Sequence, residues 1–188
     1  FQSLSDEDKV KLINEQEDLD IDRAMELLTN IGIDNLSPIL LSTLGRMYNN
    51  NDRPAEAIEL FDRIEEEHRD WSWYYRYGYA HASLSCGESY ESEHVQKALQ
   101  LIETAMKMTK EARLDKQLSW CCEVVRYLLV SIKPKEYKAD YPVIYEVIEK
   151  FSDKKNSIDT AEDIDTAEGK DTAEGKDTAD VNEYEELN

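Results

Sequence analysis

This 188-residue chain lacks the motifs that mark metal, nucleotide or covalent chemistry. Its histidines, His68, His81 and His94, are spaced 13 residues apart, and its three cysteines form no Cys-x-x-Cys pair, so no metal-ligand spacing is present. There is no Gly-x-Ser-x-Gly nucleophile turn, no glycine-rich phosphate loop and no dinucleotide-binding fingerprint. We therefore predict no enzyme activity, no catalytic or metal-ligating residue and no cofactor.

Cysteines and long apolar runs are also scarce. Three cysteines cannot all pair within one molecule, and the adjacent Cys121 and Cys122 are poorly placed for a common bond. The longest apolar stretch, 124–132, is interrupted by Arg126 and is too short to span a bilayer, and no N-terminal segment resembles a signal peptide. These features predict a soluble, cytoplasmic protein in a reducing compartment.

Basic residues are outnumbered by acidic ones, 22 to 42, so the formal net charge is −20. An acidic chain repels phosphate groups, and no local basic patch reverses this, so the sequence argues against nucleic acid and anionic membranes as partners. Residues 157–188 hold 12 of the acids and only two lysines. Half of the excess negative charge therefore belongs to the last sixth of the chain.

This C-terminal segment is a repeat of six residues, with Asp-Thr-Ala-Glu beginning at 159, 165 and 171 and Asp-Thr-Ala-Asp at 177. The period matches neither a helix nor a strand. The segment has too few large apolar residues to offset a backbone ordering cost of about 1–2 kcal/mol per residue. We predict a folded domain over 1–152 and a disordered, low-complexity acidic tail over 153–188, with a lure for a basic partner as the alternative role of the tail.

Apolar residues recur at three- and four-residue spacing through the rest of the chain, while alternating β-type patterning is absent. Seven such stripes lie between residues 24 and 151, the longest of them over 114–132. Pro54 stands just before one stripe, at a position suited to the first turn of a helix. The pattern predicts an all-α fold of seven or eight helices joined by short loops.

One internal period is close to 33 or 34 residues, which is typical of a repeat architecture. The aligned positions include Gly45 with Gly78, Ala57 with Ala98, and Phe61 with Ile102. A glycine inside a helix costs about 1 kcal/mol relative to alanine, so a close helix contact is the expected compensation. We expect Gly45 and Ala57 to lie where two helices approach closely, with Phe61 filling the remaining gap.

Residues 38–70 resemble the tetratricopeptide repeat (TPR) family, because Leu44-Gly45 is followed by Tyr48, Ala57 and Phe61 in that family's order. Residues 71–106 resemble a second copy, in which His81 replaces the tyrosine and about eight extra residues separate the two helices. Degenerate helical hairpins flank these copies. The resemblance implies antiparallel helix pairs stacked as a short right-handed solenoid, with a groove for an extended peptide or a partner helix lined by the first helix of each pair.

Carried onto this chain, that geometry gives eight candidate partner-binding residues: Ser42, Arg46, Asn49, Ser72, Trp73, Tyr75, Arg76 and Tyr79. Residues 71–79 contain six aromatics, a residue type enriched at interface hot spots. We expect Tyr74 and Tyr77 to belong to the core and Trp73, Tyr75 and Tyr79 to contact a partner. An aromatic cage for a cationic ligand is an alternative use of these rings.

These observations favour a non-catalytic protein–protein interaction module that serves as an adaptor, a chaperone or a toxin-neutralising protein of the immunity type. The partner is a protein or peptide; the acidity of the chain favours a basic one, and Arg46 is suited to pair with a carboxylate of that partner. One alternative is a small-molecule-binding protein or enzyme with a cleft between the repeats and residues 113–151. Another is self-regulation, in which the tail occupies the groove against Arg46 and Arg76.

Overall fold

The computed structural model describes residues 1, 3–17, 20–85 and 87–150. Its first compact unit spans Phe1–Phe151. The predicted tail at 153–188, the proposed boundary at 152 and Cys86 all lie outside the described residues. Within the described part of the chain every regular element is helical, which confirms the all-α prediction.

The helices are α1 (Asp6–Glu17), α2 (Ile21–Thr29), α3 (Pro38–Asn50), α4 (Pro54–Asp62), α5 (Trp71–Leu84), α6 (Glu93–Glu111), α7 (Asp115–Leu128), α8 (Pro134–Tyr137) and α9 (142–150). The seven apolar stripes fall on α2 to α7 and on α9. The stripe over 114–132 is not one long helix, because α7 ends at Leu128 and a 3₁₀ turn follows over Leu129–Ser131. None of the described helices is both long enough and apolar enough to cross a membrane.

Local sequence signals explain where several helices begin. Pro38 and Pro54 occupy first-turn positions, where proline loses no helical hydrogen bond. Asp20 and Asp70 cap α2 and α5, accepting hydrogen bonds from the backbone N–H of Arg23 at 3.0 Å and of Trp73 at 2.9 Å.

The helices pack in sequential order, each of α1 to α6 against the next. A second set of contacts joins α1 to α3, α3 to α5 and α5 to α7. This second set places α3, α5 and α7 side by side, so residues far apart in sequence share one surface.

Two glycines lie at close contacts between helices. A Cβ built at Gly45 of α3 would lie 2.8 Å from Cζ of Phe61 in α4, and one built at Gly78 of α5 would lie 2.8 Å from Cδ1 of Ile102 in α6. Ala57, which was expected at the first of these contacts, is fully buried. The expectation that Gly45 marks a close helix approach with Phe61 is confirmed.

The core consists of two apolar clusters that meet at α5. Trp73 and Tyr77 pack in the N-terminal cluster with α1 to α4, whereas Ala82 packs in the C-terminal cluster with α6, α7 and α9. Tyr74 is partly buried against both clusters. Helix α5 therefore contributes buried side chains to both clusters.

Glu103, in the middle of α6, holds the start of α9. Its side chain is buried, with 4% relative exposure, and its carboxylate accepts hydrogen bonds from the backbone N–H of Val143 at 3.1 Å and of Ile144 at 2.8 Å. These donors belong to the first turn of α9, whose N–H groups have no partner within the helix. A buried carboxylate thereby serves as a cap supplied from another helix.

Candidate binding groove

The side-by-side arrangement of α3, α5 and α7 creates two adjoining cavities on one face of the unit. Each has a volume of about 400 Å³. The first, here called the Arg76 cavity, is lined by Arg46, Asn49, Asn50, Trp71, Ser72, Tyr75, Arg76, Tyr79 and Trp120. The second, here called the Glu123 cavity, is lined by Tyr75, Tyr79, Ala82, Ser83, Trp120, Glu123, Val124 and Tyr127. They share three aromatic side chains and together form the candidate groove.

A ladder of aromatic rings runs along this groove. The ring centroids of Trp71 and Trp120 are 6.5 Å apart, those of Trp120 and Tyr75 are 6.2 Å apart, and those of Tyr75 and Tyr79 are 6.5 Å apart. These separations lie within the range of favourable aromatic pairs. Three of the four rings, all but Trp71, therefore form a wall common to both cavities, and Tyr79 is the most exposed of the four.

Arg46 is already engaged in the fold. Its Nη1 donates to Oε1 of Glu17 at 2.9 Å, and its Nη2 donates to Oε2 of the same carboxylate at 2.5 Å and to Oδ1 of Asn14 at 2.9 Å. Such two-pronged pairing is the strongest geometry available to arginine and a carboxylate. Arg46 thus ties α3 to α1, and its guanidinium is committed within the chain rather than presented to a partner's carboxylate.

Arg76 differs from Arg46 because no carboxylate of the described residues lies within ion-pair distance of it. Its Nη1 donates to Oγ of Ser42 at 3.3 Å. Burial, followed by the nearby charge of Arg46, lowers the pKa of Arg76 to about 10. The group is still protonated at neutral pH, so the Arg76 cavity carries positive charge.

Asn49 is a buried residue that binds the backbone of Arg76. It is 7% exposed, and its Nδ2 donates to the backbone carbonyl of Arg76 at 2.9 Å. Its Oδ1 is buried without a hydrogen-bond partner among the described residues. Asn49 therefore links α3 to α5 at the wall of the Arg76 cavity.

Trp73 corrects the predicted contact surface. Its side chain is 3% exposed, its Nε1 donates to the backbone carbonyl of Phe61 at 3.2 Å, and its ring packs edge-on against Tyr77 at 5.0 Å. The indole is therefore a core residue with its polar atom satisfied. The sequence analysis assigned Trp73 to the contact residues because aromatic residues occur on every side of this helix. Their pattern alone therefore does not reveal which side is buried.

Tyr75 and Tyr77 hold their protons well above neutral pH. Burial is the main cause that raises the pKa of Tyr75 to about 12, and the neighbouring Cys121, Tyr79 and Glu123 act in the same direction while Arg76 opposes them. Burial and the hydrogen bond that the Tyr77 hydroxyl donates to Asp62 raise the pKa of Tyr77 as well. Tyr75 is thus a neutral phenol in the groove, whose unpaired charges among the described lining residues are those of Arg76 and Glu123.

A histidine pair that the sequence analysis does not predict lies across the α5–α6 contact. Nδ1 of His81 and Nδ1 of His94 are 2.9 Å apart, so one ring donates a hydrogen bond to the other when both are neutral. Nε2 of His81 is buried with no partner among the described residues. Burial first, then the charges of His94 and Lys97, lower the pKa of His81 to about 4.

The remaining candidates for chemistry are weak. Cys121 and Cys122 are buried, and burial raises the pKa of Cys121 to about 12 and that of Cys122 to about 11, so both remain protonated thiols at neutral pH. In the described residues, one group of side chains has metal-ligand spacing, and its members, Glu65, Glu67 and His68, are all exposed. Neither feature adds a catalytic site to the groove.

Comparisons with known proteins returned no match for this chain: no family model fits it, and no curated protein or solved structure is significantly similar.

Proposed function

We propose that this protein is a non-catalytic interaction module of the TPR type, which holds a segment of a partner protein in the groove between α3, α5 and α7. Its helix pairs then stack as a short right-handed solenoid whose first helices, α3, α5 and α7, line the binding surface.

The internal repeat supports the TPR part of this proposal. Gly45 contacts Phe61 and Gly78 contacts Ile102, and these are the positions that the sequence period aligns. Two successive helix pairs thus use the same small-to-large contact at the same place. The contacts that join α1 to α3, α3 to α5 and α5 to α7 are also those expected of stacked helix pairs.

One observation carries the functional part: six of the eight candidate residues chosen from the sequence line a single cavity. They are Arg46, Asn49, Ser72, Tyr75, Arg76 and Tyr79. A seventh, Ser42, accepts a hydrogen bond from Arg76. A cavity with an aromatic wall and a few convergent polar groups is the usual form of a binding site.

The expected occupant has apolar side chains that lie against the aromatic ladder. The net charge of −20 favours encounter with a partner of positive overall charge. Adaptor, chaperone and toxin-neutralising roles all fit this description.

Affinity capture with the full chain tests the proposal. The protein is immobilised and challenged with lysate of its own source at low salt, beside the groove variants Tyr79→Ala and Arg76→Gln. The control is Ile39→Ala, because Ile39 is 45% exposed and does not line either cavity. We expect a stoichiometric partner that both groove variants lose, that the control retains and that dissociates as salt is raised. Failure to recover any stoichiometric partner, or equal recovery by all four proteins, would contradict the proposal.

A further inference from the structure

The Glu123 cavity combines aromatic rings with a single carboxylate. Among the described side chains that line it, four are aromatic, and only Glu123 carries a charge. Tyr79 and Tyr127 are 39% and 54% exposed, so these rings are accessible from solvent. Val124 and Ala82 are buried and close the inner side of the cavity.

This composition suits an organic cation. Aromatic faces attract a cation within about 6 Å of the ring centroid, and the attraction grows as water is excluded. The chain already uses this interaction at the same ladder, since Nζ of Lys116 lies 5.6 Å from the centroid of Trp120. Lys116 itself does not line the cavity.

A neutral apolar occupant fits less well. Glu123 is exposed, so its carboxylate keeps its water beside a neutral occupant, and it gains no ion pair from one. A cationic occupant supplies the counter-charge and stacks on the rings at the same time. A volume of about 400 Å³ accommodates a guanidinium or ammonium head together with part of its aliphatic stem.

The neighbouring Arg76 cavity carries the opposite charge, which disfavours a cation there and favours its binding in the Glu123 cavity. Arg76, which has no ion-pair partner among the described carboxylates, lines the Arg76 cavity, while Glu123 lines only the other one. Arg46 also lines the Arg76 cavity, but Glu17 balances its charge. Tyr75, which lines both cavities, is close enough to both charges for each to act on its pKa: Glu123 raises it and Arg76 lowers it. A basic side chain is thus repelled from one end of the groove and attracted to the other.

We infer that the Glu123 cavity is a subsite for a basic side chain, the guanidinium of an arginine, that a partner protein inserts between Tyr79, Tyr127 and Trp120 against the carboxylate of Glu123. This inference rests on the proposed function for the origin of the arginine. The chemistry of the subsite can be measured without any partner.

The experiment titrates the full chain with Nα-acetyl-arginine amide and with Nα-acetyl-citrulline amide, a neutral ligand of nearly the same shape. Binding is followed by the NMR signal of the Trp120 indole N–H, which is assigned with Trp120→Phe. We expect saturable binding of the arginine compound, at least about fivefold tighter than that of the citrulline compound, because a cation–π contact and an ion pair are both lost with the charge.

Two matched variants locate the effect. Glu123→Gln should weaken the arginine compound about fivefold and leave the citrulline compound unchanged. Glu59→Gln, an exposed glutamate of α4 that does not line either cavity, should leave both unchanged. Thermal melting of each variant checks that the fold is retained.

Equal affinity for the two compounds, absence of saturable binding, or the same loss in Glu59→Gln would overturn the inference. Choline provides a further arm: tighter binding of choline than of the arginine compound would assign the site to a quaternary ammonium ligand and overturn the arginine assignment. Failure of the subsite is distinguishable from failure of the interaction module, because a captured partner that is insensitive to Glu123→Gln would refute only the subsite.

Discussion

The α-carbon of Gly45 lies against the ring of Phe61 so closely that an added Cβ would stand 2.8 Å from Cζ. Phe61 is fully buried, so its ring has little freedom to move away. The glycine is therefore required by the distance between α3 and α4, and the 33-residue spacing to Gly78 repeats the requirement between α5 and α6.

We predict that Gly45→Ala destabilises the protein by about 1–3 kcal/mol, because the overlap with Phe61 outweighs the helix propensity gained, about 1 kcal/mol. Gly78→Ala should be destabilising as well, since its added Cβ meets Cδ1 and Cγ1 of the fully buried Ile102 at 2.8 Å and Cβ of Leu101 at 3.2 Å. Urea unfolding measures both changes. Adding Phe61→Leu to Gly45→Ala should recover part of the loss, and strictly additive effects of the two substitutions would contradict the overlap.

The helices and this close contact were predictable because both leave local traces in the sequence. A helix that buries one face shows apolar residues at three- and four-residue spacing, and a glycine within such a pattern signals a close neighbour. Six of the candidate residues line one cavity, because they lie on the same side of α3 and α5, two helices whose order follows the repeat.

Other parts of the groove were not predictable. Trp120 and Glu123 belong to α7, which lacks the signature of the repeat, and only the packing of α5 against α7 brings them to the cavities. Likewise, the sequence offers no reason to exclude Arg46 from partner binding. In the structure its guanidinium donates to the carboxylate of Glu17, which is 29 residues away in the chain. Contacts between residues this far apart in the chain produce no periodic pattern in the sequence, so the sequence does not predict them.

The ion pair between Arg46 and Glu17 should hold α1 against α3. Their side chains are 23% and 13% exposed, so solvent screens them only in part. We expect Glu17→Gln to lower the free energy of unfolding by about 1–2 kcal/mol, since it removes the charge while keeping the shape. It should also speed amide hydrogen exchange in α1 more than in α6.

The exposed pair of Arg63 with Asp34 provides the control for this prediction. Asp34 is 92% exposed in its side chain, so Asp34→Asn should change the unfolding free energy little. Equal effects of Glu17→Gln and Asp34→Asn would show that the Arg46 pair does not anchor α1.

Glu103 should be among the least replaceable carboxylates of the chain. Glu103→Ala removes the acceptor of two N–H groups, those of Val143 and Ile144, and we expect a loss of about 2 kcal/mol with faster amide exchange at the start of α9. Glu103→Gln keeps one acceptor oxygen and should lose less. Glu111→Ala, at the exposed end of the same helix, is the control, and a loss as large as that of Glu103→Ala would contradict the capping role.

The His81–His94 contact predicts how stability changes in mild acid. His81 has its pKa lowered to about 4, against about 6.5 in an unfolded chain, because it is buried beside His94 and Lys97, with only Asp62 acting in the opposite direction. Well above pH 6.5 the ring is neutral in both states and contributes no pH dependence. As the pH falls from about 6.5 to about 4, the unfolded chain takes up a proton that the folded chain does not, so the free energy of unfolding decreases, by about 1–2 kcal/mol after allowance for solvent screening.

Urea unfolding at pH 7.0, 5.5 and 4.5 should therefore show a smaller loss of stability in acid for His81→Gln than for the wild type. His68→Gln, which alters a half-exposed histidine, should follow the wild-type profile, and parallel profiles for wild type and His81→Gln would refute the lowered pKa.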